Sequence, residues 1–173
     1  MSEEFFDVVD EQDRVLGRAP RSVVHKHHLL HRAAHIFLFN LRGELLLQLR
    51  SERKDEYPLC YTSSASGHLG AGESYDEAAP RDLQEELGIN APLERLAKFP
   101  ASPQTAYEHT VLYRAISNTP PRPDPAEIAG LSFHSLKEIA ELLRKAPEKF
   151  SPPLVVLFEW YVQYSTAHSK STS

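Results

Sequence analysis

The chain has one cysteine, Cys60, so it can form no intramolecular disulfide and nothing in it calls for an oxidising compartment. Long apolar runs are equally scarce. Ile36 to Phe39 and Leu154 to Phe158 fall far short of the roughly 18 residues a membrane span needs, so no membrane partner is expected. The N-terminus opens acidic, with Glu3 and Glu4, where a secretory signal places positive charge ahead of an apolar stretch. These absences lead to the expectation of a cytoplasmic protein. An excess of positive charge is missing too: 19 Lys plus Arg stand against 24 Asp plus Glu, for a formal charge of −5. That argues against binding a nucleic-acid polymer, which relies on neutralising phosphates over a basic surface. It leaves room for a small phosphorylated metabolite, which needs only a local basic pocket.

What is present is 173 residues, 41% hydrophobic and 25% charged, the make-up of one globular domain. The domain is expected over 1–165, with 166–173 as a polar tail. Phe5 to Val9 and Val15 to Leu16 flank an acidic turn and read as a hairpin. His35 to Phe39 and Glu44 to Leu49 form a second, across a turn whose Gly43 can take positive φ. Tyr61 to Ser64 reads as a short strand feeding a permissive loop, Ser66 to Gly72, and Leu93 to Phe99, Tyr107 to Ile116 and Leu131 to His134 read as further strands. Ser74 and Glu77 have capping-box spacing ahead of a helix over 75–87 that Gly88 stops, with an irregularity expected at Pro80. Ser135 opens a second helix to about Lys145, and Ser151-Pro152 a third with Leu154, Leu157, Phe158, Tyr161 and Val162 on one face. Strands and helices alternate without an internal repeat, so the fold class is α/β with a mixed sheet between helices.

Helix 75–87 carries Asp82, Glu85 and Glu86, whose i, i+3 and i+4 spacing gathers three carboxylates on one face. Like charges so placed disfavour the helix unless something positive sits over them. Hard oxygen donors suit Mg²⁺ or Mn²⁺.

The stretch Gly67, five residues, Glu73, seven residues, then Arg81-Asp82-Leu83-Gln84-Glu85-Glu86-Leu87-Gly88-Ile89 resembles the Nudix box of the Nudix hydrolase superfamily. It departs from the family pattern at one fixed position, where Asp82 stands for Glu. The resemblance implies a Nudix-type α/β/α sandwich and metal-dependent cleavage of a diphosphate linkage in a nucleoside diphosphate derivative or related small metabolite. By position, Glu85 and Glu86 are the implied Mg²⁺ or Mn²⁺ ligands, Asp82 a further ligand or the group that activates water, and Glu73 and Arg81 the residues that orient them. The backbone near Gly67 faces the metal in the same comparison. A homodimer is an expectation from the family alone.

Upstream, His31 to Asn40, then Arg50, Lys54 and Tyr57-Pro58, are similar to a narrower branch, isopentenyl-diphosphate isomerase. That branch implies Arg50 and Lys54, with Arg53 nearby, as diphosphate-binding residues. It also places His31 and His68 where the isomerases hold a metal, with His25 displaced by one position and Glu108 near an acidic pair it does not reproduce. Glu108 is also an expected metal ligand or base from outside the box, and Glu108 and Gly67 are expected to touch substrate. The isomerase loop Cys-Gly-His stands here as Ser66-Gly67-His68, so the reacting thiol is missing; Cys60 is expected only to pack. Hydrolysis is therefore the leading expectation. An isomerase-like enzyme and a non-catalytic metabolite-binding module are the alternatives, with specificity expected from Gln104 to Glu108 and Thr119 to Glu127.

Overall fold

The computed structural model describes residues 2–169. Strands β1 (Phe5–Val9) and β2 (Val15–Pro20) form an antiparallel ribbon of their own, closed by a turn in which Asp10 Oδ1 accepts from the Gln12 and Arg14 amides, both at 2.9 Å. Helix α1 (Arg21–Lys26) was not expected. It buries only Val24, so it leaves no apolar period to read. Strand β3 (His31–Phe39) begins four residues before the expected start, and turns through Asn40 to Gly43 (φ 75°) into β4 (Leu45–Arg50).

Strands β5 (Tyr61–Thr62) and β6 (Ala65–His68) follow, and here the expected loop is corrected. Ser66, Gly67 and His68 are strand residues, paired antiparallel with His35, Ala34 and Ala33. Helix α2 (Tyr75–Leu87) has the anticipated bounds, with the reciprocal Ser74–Glu77 capping box and Gly88 left-handed at φ 65°. Pro80 lies inside it without ending it, and both Pro80 and Asp76, whose carbonyl loses its partner, are exposed to water. Then come β7 (Glu94–Phe99), β8 (Glu108–Ile116), β9 (Ile128–His134), α3 (Leu136–Lys145) and α4 (Pro152–Ser169). Residues 166–169, expected as tail, extend α4; 170–173 lie outside the described residues.

Seven strands make one mixed sheet, with β5-β4-β3-β8-β7 in order, β6 added to β3 and β9 to β4; β3 and β8 run parallel and the other pairs antiparallel. The two faces of β3 explain the layers. Ala34, Ile36 and Leu38 pack with Ala78, Leu83 and Leu87 of α2, whereas Phe37 and Phe39 pack with Leu154, Leu157, Phe158 and Tyr161 of α4. The result is the α/β/α sandwich. On that second face, Ala33 and His35 in the N-terminal half of β3 line a cleft.

The ribbon is held against this core by a buried carboxylate. Asp13 accepts from Arg32 Nε at 2.6 Å, Tyr75 Oη at 2.8 Å and Lys98 Nζ at 2.5 Å, tying the β1–β2 turn to the sheet and to α2. That anchor holds the strand that sets Phe6 against the rings of His25, His31 and His68.

Candidate active site

The cleft encloses about 290 Å³, at the lower end of small-molecule sites. Two groups of side chains meet in it on opposite sides of β6. On one side lie the carboxylates of α2. Arg81 donates through Nε and Nη2 to the two oxygens of Glu73 (2.7 and 2.9 Å), and through Nη1 to Asp82 Oδ1 (2.9 Å) and Glu85 Oε2 (3.2 Å). Its Nη2 also reaches the His68 carbonyl at 3.2 Å. One guanidinium thus links the start of α2 to β6, a forked geometry that a point charge cannot reproduce.

Glu85 is exposed at the rim, while Glu86 is drawn inward, where its two oxygens accept from Gln48 Nε2 at 3.1 Å and the Ser66 amide at 2.9 Å. Burial raises Glu86 to about 7 against those hydrogen bonds. Asp82 is buried beneath β6, and its Oδ2 has no protein partner. Burial raises it to about 8, with Arg81 opposing and Glu86 and Glu85 assisting. A buried carboxylate oxygen left without a donor, beside two further carboxylates, fits a divalent cation.

Across β6 lies the second group. His25 on α1, His31 at the start of β3 and His68 at the end of β6 bring three ring nitrogens within 4.8 Å of one another, and a His68 nitrogen lies as close to one carboxylate oxygen each of Glu56 and Glu108. Although displaced by one position in the sequence, His25 is carried into the cluster by α1. His31 Nδ1 lies 2.8 Å from the Leu29 carbonyl, which can only accept, so in the neutral ring the proton is on Nδ1 and Nε2 keeps its lone pair. That Nε2 and the Nε2 of His25 are buried without hydrogen-bond partners. These orphaned nitrogens fit a second cation, one that accepts imidazole with carboxylate.

Glu108, expected to touch substrate, sits deep in this cluster, with Oε1 2.8 Å from His68 Nε2 and 3.6 Å from His31 Nε2. Burial opposes its ionisation, but the His68 and His31 rings outweigh burial and hold it well below the usual carboxylate range. Conversely, burial lowers His25 to about 4, assisted by His68, Arg21 and His31. Phe6 floors the group, stacked on His31 with ring centres 5.8 Å apart and tilted against His68 at 4.8 Å. No local sequence pattern joins Phe6 to these histidines.

Arg50 and Lys54 both line the cleft; Arg53 is exposed and does not. Arg50 Nε is tied to the Glu56 carbonyl at 2.9 Å, and Lys54 Nζ is paired with Glu127. Arg21 joins them, a residue the sequence reading missed, although its i, i+4 spacing to His25 on α1 is visible in hindsight. The two expected specificity segments contribute Ala106 and Glu108, and Asp124 and Glu127. Cys60 does not line the cleft; its Sγ lies 3.9 Å from the Glu148 carbonyl.

Comparison with known proteins agrees with this geometry. The family model for the NUDIX domain matches residues 29–154. An isopentenyl-diphosphate Delta-isomerase of Nocardia farcinica is 33% identical over 160 residues, spanning 88% of this chain and 91% of that protein. An uncharacterized Nudix hydrolase of Pseudomonas aeruginosa is 36% identical over 140 residues, spanning 80% and 83%. A crystal structure from Deinococcus radiodurans superposes with a TM-score of 0.79 at 27% identity, covering 90% of this chain and 98% of that one.

Proposed function

The chain belongs to the Nudix family, and we propose that it is a divalent-cation-dependent hydrolase of a diphosphate linkage in a small phosphorylated metabolite. The missing thiol puts hydrolysis ahead of isomerisation, whereas by name the relatives favour the isomerase, since those of Nocardia and Serratia both carry that name. The diphosphate is common to both readings. What separates them is the reacting group.

The observation that carries hydrolysis is Ser66. It lines the cleft at the position where the isomerase branch has its thiol, and a hydroxyl is far too weak an acid to exchange protons with carbon as a thiol does. Meanwhile Arg81 gathers Asp82 and Glu85 of α2 with Glu73, and Glu86 lies beside them. Glu85, Glu86 and Asp82 would hold Mg²⁺ or Mn²⁺, and a cation there neutralises diphosphate charge and makes bound water a better nucleophile.

The chain's own residues do the rest. Arg50 and Arg21 bind phosphoryl oxygens, and Lys54 exchanges Glu127 for the ligand. Arg81 keeps Glu73, Asp82 and Glu85 aligned, and the Ser66 amide and Gln48 orient Glu86. The cluster of His25, His31, His68 and Glu108 favours the isomerase as second reading, because the branch that carries it by resemblance acts on isopentenyl diphosphate.

The test is phosphate or nucleotide release from nucleoside diphosphates and triphosphates, dinucleotides, ADP-ribose, nucleotide sugars and isopentenyl diphosphate, with Mg²⁺, Mn²⁺ or chelator. Metal-dependent release abolished by Glu86→Gln supports hydrolysis. Conversion of isopentenyl diphosphate without release establishes the isomerase. Silence throughout, with a metabolite bound, makes the chain a binding module.

A further inference from the structure

His35 belongs to neither cluster. It stands four residues along β3 from His31, on the same face, and lines the cleft with only 5% of its surface exposed. In the antiparallel pairing of β3 with β6 it is directly opposite Ser66, which places the two Cβ atoms about 4.5 to 5.5 Å apart on the cleft side. Its Nδ1 is 2.8 Å from Ser63 Oγ.

The hydrogen on that bond can be assigned. Ser63 is fully buried, and among the described residues its hydroxyl has no other hydrogen-bond partner than His35. A buried hydroxyl that only accepted would strand its own hydrogen, at a cost of about 1 to 3 kcal/mol. Ser63 therefore donates, Nδ1 accepts, and the ring proton is on Nε2. That Nε2–H has no protein acceptor among the described residues, so it is left for whatever occupies the cleft beside Ser66 and Arg50. Burial keeps the imidazole neutral, lowering it to about 4, with Glu108 opposing and Arg50 and His68 assisting. The donor is thus present without a full charge that a bound cation would repel.

We propose that His35 is a ligand-binding residue of the cleft, a neutral imidazole held in one tautomer by Ser63, whose Nε2–H donates to a phosphoryl oxygen of the diphosphate. The inference rests on the diphosphate reading of the cleft, and it adds an uncharged donor to the arginines and lysine already named.

The test uses the full chain and inorganic pyrophosphate with Mg²⁺, read by calorimetry and by ¹⁵N NMR of labelled histidine. The expected spectrum shows His35 in the Nε2–H form, with that resonance moving as pyrophosphate is added. His35→Leu should weaken pyrophosphate about ten- to a hundredfold, the range of one hydrogen bond to a charged group, while His35→Gln, which keeps a donor, retains affinity within a few fold. Unfolding midpoints of both variants separate lost binding from lost fold, and the wild-type spectrum stands whatever the variants do. An Nδ1–H ring, or His35→Leu binding as tightly as wild type, overturns the role of His35 and leaves the diphosphate reading intact. A wild-type chain that binds no pyrophosphate with Mg²⁺ or Mn²⁺ sinks both.

Discussion

Gly67 and Asp82 occupy almost the same space: a Cβ built on Gly67 would lie 2.5 Å from Asp82 Oδ1 and 2.6 Å from Oδ2. The glycine is therefore needed for close approach and not for a turn, since β6 is extended there. Gly67→Ala must push the Asp82 carboxylate out of its seat and strain its bond to Arg81. We expect turnover to fall at least tenfold with a loss of about 1 to 3 kcal/mol in stability, read by urea unfolding beside the activity assay. The double variant Gly67→Ala/Asp82→Ala should recover stability but not turnover. If it recovers none, steric conflict with Asp82 is not the cause.

The two clusters should separate by mutation. Glu86→Gln removes a carboxylate at the α2 group and should lower turnover a hundredfold or more, while leaving the histidine group intact. His31→Gln should do the reverse to cation binding, weakening Mn²⁺ or Zn²⁺ at the histidine group by ten- to a hundredfold. Titrating each variant with metal while following the unfolding midpoint checks this, because a bound ion raises stability by mass action. Equal effects of both substitutions on one binding event would mean a single shared site.

Arg81→Lys keeps the charge but not the fork. With Glu73, Asp82 and Glu85 all dependent on the same guanidinium, we expect turnover to drop about a hundredfold with little change in unfolding midpoint. A variant with near-normal kcat would show that charge alone suffices there.

Asp13 is predicted to be a structural hinge pin. Asp13→Ala leaves Arg32 and Lys98 without their shared carboxylate and should cost on the order of 2 to 3 kcal/mol, discounted for the partial exposure of Lys98. Metal affinity at His25, His31 and His68 should weaken as well, since the ribbon carries Phe6 against those rings. Hydrogen exchange on 5–20 would reveal the loosening directly.

His35 also sets a pH dependence. Burial lowers its imidazole to about 4, below the ordinary histidine value of about 6.5, so the folded chain binds fewer protons than the unfolded one between those limits. Stability from this group is complete above about pH 6.5 and is lost as pH falls towards 4, by up to about 3 kcal/mol. Denaturant unfolding from pH 7 to 4 should therefore fall more steeply for wild type than for His35→Gln. Parallel curves would contradict the assignment.

Local rules carried much of this protein. The capping box at Ser74, the stop at Gly88 and the carboxylate spacing of Asp82, Glu85 and Glu86 are interactions within a few residues, so spacing alone placed them on one helix. The hairpin through Asn40 and Gly43 is equally local. What the sequence could not disclose were meetings between distant segments. Ser66 to His68 look like a loop until β3 is there to pair with them. Six-residue α1 has too little apolar pattern to announce that it brings Arg21 and His25 to the cleft. The contact of Phe6 with three histidines and the seat of Asp82 under Gly67 arise only when β1, α1, β3, β6 and α2 converge. Short-range hydrogen bonding and periodicity are written residue by residue, whereas convergence depends on how the sheet and its ribbon close in three dimensions.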